Sequence, residues 1–148
     1  MIEPVRKTIT VPLDPASAFD LFTGGIARWW PMETHSLSGR AATVRVEPRV
    51  GGHVVETKPD GSEAPWARVT VWDPGRRFAV DWHVGRDEAE ATQLDVTFTG
   101  TEAGTRVDLV HDGFDRLAEG ETMCARYRSG WDEVLGRCYG HACRKRAA

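Results

Sequence analysis

The sequence has 148 residues, 41% of them hydrophobic and 28% charged, with a net charge of −3; this is the size and balance of one globular domain with a core large enough to need no covalent staple. The acidic balance argues against a nucleic-acid surface, and no apolar run approaches the ~20 residues of a membrane span. An N-terminus with Glu3 and Pro4 where a signal peptide needs an apolar run, together with three cysteines, predicts a cytoplasmic protein.

In chain order, VRKTITVPL (residues 5–13) predicts a strand with Ile9 and Val11 on one face. Asp14 is a natural helix N-cap and Pro15 suits the first helical position, while Phe19, Phe22 and Ile26 recur at helical spacing. Gly24 and Gly25 end that helix, and Ile26 to Trp30 forms a second short turn that Pro31 stops. Trp29 and Trp30 are adjacent, and neighbours in a regular element do not share a face. One of them should seal the end of the core. The other should lie near a cavity mouth or on the surface.

From Thr43 to Asp112 the hydrophobic period changes to two, with turn signals at PDG, DPG and TEAG. The short connections predict about six antiparallel strands after the first. Around DPG, pairing Trp72 with Arg77 places Ala67, Val69, Val71, Phe78, Val80 and Trp82 on one apolar face. The other face then holds Trp66, Arg68, Thr70 and Trp72, with Arg68 opposite Asp81. L-Pro-Gly does not favour a tight primed turn, so a bulge or a longer loop is expected in this hairpin. Leu94, Val96 and Phe98 continue the apolar face against Val107 and Leu109, and His111 follows on the same side. Asp81, Asp95 and Asp108 fall on the outer face as a solvated set, whereas the parity of Glu56 is not fixed by HVVETK.

The last element is a long helix whose Met123, Tyr127, Trp131, Val134, Leu135, Cys138 and Ala142 form one stripe. Gly130 in its middle suggests a close approach by the sheet or a ligand. The terminal Arg144-Lys145-Arg146 suits a helix C-terminus.

No nucleophile elbow or phosphate loop is present. Cys138 and His141 are three apart on a helix, but no second ligand pair stands nearby, so neither a metal nor a cofactor is expected. His111 is the one histidine on an apolar face, able to orient a ligand or act as acid or base, or simply to be satisfied at a strand end.

Several stretches, among them VRKTITVPLDPASAFDLFT, WW, EPRVGG, WARVTVWDPGRRFAVDWHVG, TRVDLVHDGF and YRSGWDEVL, resemble the SRPBCC (START-like, Bet v-like) superfamily. Within it they are most similar to bacterial single-domain members of the group named after the activator of the Hsp-ninety ATPase. The resemblance spans nearly the whole chain and implies an α+β helix-grip fold: a curved antiparallel sheet of about seven strands around a long C-terminal helix, with two short helices after the first strand. It also implies an internal cavity, which superfamily relatives use for sterols, lipids, hormones and polyketide intermediates. Eukaryotic namesakes act as co-chaperones through a separate N-terminal domain not found in these residues, which puts a chaperone partner in doubt.

Three functions follow as expectations. The first is a binding protein for an apolar or lipid-like small molecule, held by Trp29, Trp30, Trp82, Phe98, His111, Met123, Tyr127 and Trp131. The second is a cyclase- or dehydratase-like enzyme using His111 and Tyr127 in the same cavity. The third is an interaction protein using an outer surface with Trp66 and Trp72. A homodimer is left open.

Overall fold

A computed structural model describes residues 1–148. Its elements are β1 (Val5–Val11), α1 (Pro15–Thr23), β2 (Thr43–Val46), β3 (His53–Thr57), β4 (Glu63–Asp73), β5 (Arg77–Trp82), β6 (Thr92–Thr101) and β7 (Gly104–Asp112). A helix over residues 120–147 follows, made of α2 (Gly120–Trp131), a π-helical segment (Asp132–Tyr139) and α3 (Gly140–Ala147) without interruption. The strands form one antiparallel sheet in the order β1-β7-β6-β5-β4-β3-β2. The sheet curls as a half-barrel around the long helix, so the α+β helix-grip architecture holds. No helix is long and apolar enough to cross a membrane.

The first helix forms where its punctuation lies. The Ser17 N–H donates to Asp14 Oδ2 at 3.3 Å, and Pro15 opens the first turn. A short 3-10 turn (Ile26–Arg28) follows the two glycines. On the sheet, Leu94 pairs with His111, Val96 with Leu109 and Phe98 with Val107, and all six are buried against the helix.

The DPG hairpin keeps part of its expected register. Ala67 pairs with Trp82, Arg68 with Asp81 and Val69 with Val80, but beyond them Val71 meets Ala79 and Trp72 meets Phe78. Thr70 is the extra residue of a bulge. The turn closes by Arg76 N–H to Asp73 O at 3.0 Å, with Gly75 at φ 77°. That is a type II geometry, whose twist does not match a two-strand ribbon. The bulge reverses the parity of the last residues of β4, so Trp72 turns inward. It packs edge-on against Phe19 and Phe78, with ring centroids 5.1 and 5.9 Å apart.

Trp66 also departs from the expected outer face. Val54 pairs with Ala67 but Val55 pairs with Pro65, which leaves Trp66 as a second bulge residue in β4. It is fully buried. Of the two tryptophans of the outer-surface reading, Trp66 is therefore in the core, and Trp72, partly buried, packs against it. Apart from Met1, the exposed large apolar side chains are Leu37 and Val50 alone.

The helical stripe is as expected through Leu135 and then shifts. Tyr139 and Cys143 are fully buried, whereas Cys138 and Ala142 are only partly so. The π-helical turns account for this: the Gly140 N–H reaches Leu135 O, an i→i−5 bond. A wider turn keeps residues four apart, such as Trp131, Leu135, Tyr139 and Cys143, on one face. The Tyr139 hydroxyl then donates to Ala18 O at 2.6 Å and ties the helix to α1.

Candidate ligand cavity

Between α2 and the end of the sheet lies a cavity of about 310 Å³. This is at the lower end of the roughly 300–1,000 Å³ typical of small-molecule sites. One helical face supplies Met123, Arg126, Tyr127, Gly130, Trp131 and Val134 at spacings of three and four. Trp82 ends β5 and Val84 follows it, and Trp30, His35 and Ser36 come from the segment after the 3-10 turn. Gly130 leaves room: a Cβ there would meet only His35 Nε2, at 3.8 Å.

Hydrogen bonds fix the aromatic walls. The Trp82 indole N–H donates to Tyr127 Oη at 2.9 Å, and the Trp30 indole N–H to His35 O at 2.8 Å. The Trp131 indole N–H donates to His111 Nδ1 at 3.0 Å. Because an indole nitrogen only donates, Nδ1 must accept, which places the imidazole proton on Nε2. That Nε2 lies 2.7 Å from Thr92 Oγ1, whose own hydroxyl reaches Trp82 O at 3.3 Å. Burial holds the His111 pKa down at about 3. Burial also pushes the Tyr127 phenol up, against the opposing influence of the Trp82 hydrogen bond and the Arg86 charge. With three indole N–H groups engaged by the protein, the tryptophans turn ring surface rather than free N–H groups to the cavity.

Of the eight residues expected to hold a ligand, Trp30, Trp82, Met123, Tyr127 and Trp131 line this cavity. The other three do not. His111 is fully buried behind the wall, with both ring nitrogens engaged. Phe98 packs against Phe19 and Phe22 in the body of the core. Trp29 turns the other way from Trp30: it packs on Phe22 and Tyr139 and donates to Leu21 O at 2.8 Å. The adjacent pair can face two parts of one core because Trp29 already lies outside the 3-10 turn, at φ −127°.

Of the other six lining residues, the sequence reading singles out Gly130 as a place of close approach and Val134 as part of the helical stripe, and it misses Val84, Arg126, His35 and Ser36. Arg126 was accessible to it, since it continues the helical spacing of Met123, Tyr127 and Trp131. His35 and Ser36 were not, because an irregular segment after Pro31 has no periodicity to read. Glu56 holds that segment in place. Its carboxylate is fully buried and accepts from Leu37 N and Ser38 N, each at 2.8 Å, and from Trp66 Nε1 at 2.9 Å. Burial pushes its pKa up, but these N–H groups outweigh burial and hold it below the usual carboxylate value.

No three metal-ligating side chains come together anywhere in the protein.

Residues 12–138 match the family described as "Activator of Hsp90 ATPase homolog 1-like protein". The chain belongs to this family. The resemblance read from the sequence therefore holds, and the family's solved relatives share the SRPBCC helix-grip architecture. One structure similar to this activator-homologue chain is an anthrahydroquino-γ-pyrone synthase, 32% identical, with 84% of this chain and 85% of that one covered and a TM-score of 0.60. Another is the self-sacrificing resistance protein CalC from Micromonospora echinospora, 22% identical, covering 99% and 97% of the two chains at a TM-score of 0.70. A third is the Aha1 dimer from Colwellia psychrerythraea, 19% identical over 91% of each chain at a TM-score of 0.63. The last two show the fold alone. No match is found among curated proteins.

Proposed function

We propose that this activator-homologue family member binds an apolar or amphipathic small molecule with a flat aromatic body in the cavity between α2 and the sheet. One observation carries the reading: an unfilled space of about 310 Å³ faced by Trp30, Trp82, Tyr127 and Trp131, whose indole N–H groups are already satisfied. Ring faces held in this way favour a guest that stacks. The relation to an anthrahydroquino-γ-pyrone synthase, a protein named for a fused-ring product, supports an aromatic guest.

The same relative favours a second reading, in which the chain acts on such a compound as a cyclase- or synthase-like enzyme. The groups at hand for it are the Tyr127 hydroxyl and His35 Nε2. His111, the base offered by the sequence, has no free nitrogen.

A thermal-shift screen of anthraquinones, fatty acids and sterols tests the binding reading, with Gly130→Leu alongside to fill the cavity. Fused aromatics should raise the Tm of the native protein and not that of Gly130→Leu. No shift from any class, or equal shifts in both proteins, would contradict it. Turnover of a bound compound, followed by chromatography, would promote the second reading.

A further inference from the structure

The polar side chains at the cavity include two donors, Arg126 and Tyr127, and an imidazole, His35, with no carboxylate among them. The indole N–H groups of Trp30, Trp82 and Trp131 are engaged, and so is Ser36, whose Oγ donates to Met32 O and accepts the Gly39 N–H. Three groups remain. Tyr127 Oη accepts from Trp82, so its own hydrogen is free to donate. His35 has Nδ1 engaged with Thr34 Oγ1 at 2.7 Å and turns Nε2 to the space beside Gly130. Arg126 brings a guanidinium with no carboxylate partner, unlike Arg86 with Glu90 and Arg137 with Glu133. No carboxylate lines the cavity, and Arg126 is its one formal charge. Arg126 precedes Gly130 by one helical turn, so guanidinium and imidazole border the same edge.

We propose that the guest is an anion: a flat aromatic compound with an ionised oxygen group, carboxylate or phenolate, seated against Arg126 and His35. Its rings lie on the indoles and a second oxygen accepts from Tyr127. Hydrogen bonds to an ionised acceptor are about twice as strong as neutral ones. Aromatic walls alone would also attract a cation, but a cation here meets Arg126 with no acidic side chain to balance it. This inference rests on the binding reading above and adds the charge of the ligand.

Quenching of indole fluorescence by anthraquinone-2-carboxylate and by anthraquinone-2-carboxamide, at neutral pH and low salt, compares two probes with the same rings. The carboxylate should bind about tenfold more tightly than the carboxamide. Arg126→Met should remove most of that preference, and Arg126→Lys should retain part of it. Arg126 is exposed, so neither change threatens the fold. Equal affinity for the two probes, or a preference that survives Arg126→Met, overturns the inference and leaves the binding reading intact. Failure of both probes to bind the native protein overturns both.

Discussion

The indole N–H of Trp131 ends on Nδ1 of His111, 3.0 Å away, between the long helix and β7. This bond joins the cavity wall to the core of the sheet. It also makes the neutral imidazole part of the folded state, because a proton on Nδ1 would face the indole N–H.

Acid should therefore loosen the protein through His111. Its folded pKa, about 3, lies below the ordinary value of 6.5. The unfolded chain takes up the proton first, so the contribution is complete above pH 6.5 and falls as the pH drops towards 3. Each pH unit in that window costs up to about 1.4 kcal/mol. His111→Phe should cost about 1–3 kcal/mol at neutral pH, since it orphans the Trp131 N–H. It should also flatten the loss between pH 6.5 and 4.5. Urea unfolding at several pH values measures both, and parallel losses in the two proteins would contradict the assignment.

Glu56 acts at lower pH. Its folded pKa is below the ordinary 4.5, so its contribution is present above that value and is lost as the pH falls through the depressed one. Glu56→Gln keeps one acceptor oxygen for three N–H donors and should cost roughly 2–3 kcal/mol. Hydrogen exchange at Leu37 and Ser38 should accelerate in that variant beyond the global change. Unchanged protection there would show that the carboxylate does not hold the segment.

Gly130 separates stability from binding. Gly130→Ala should stabilise by up to about 1 kcal/mol, because an alanine Cβ meets nothing closer than 3.8 Å and helix propensity improves. Gly130→Leu should keep the native Tm within a few degrees and abolish binding. A large loss of Tm in Gly130→Ala would mean that the position is already tightly packed.

The sequence shows the architecture better than the site, and the reasons are local. Asp14-Pro15, the alternation of β6 and β7, and the stripe from Met123 to Leu135 are regular signals with regular outcomes. Trp66 and Trp72 face inward because β4 carries two bulges, and a bulge has no mark in an alternating pattern beyond the turn that provokes it. Tyr139 and Cys143 replace Cys138 and Ala142 because the helix widens into π turns, which a 3.6-residue period does not anticipate. Phe98 and His111 share the inner face of the sheet with Trp82 as expected, but facing inward does not distinguish a cavity wall from packed core. Only the helix and the segment around His35 make that distinction, and the segment is irregular.

The most direct test uses the six tryptophans as separate reporters. In ¹H–¹⁵N correlation spectra, titration with anthraquinone-2-carboxylate should move the indole N–H resonances of Trp30, Trp82 and Trp131, which line the cavity. Those of Trp29 and Trp72, packed on Phe22 and Phe19, should stay in place. Six unmoved resonances, or shifts at Trp29 and Trp72 with the other three fixed, would contradict a ligand site between α2 and the sheet.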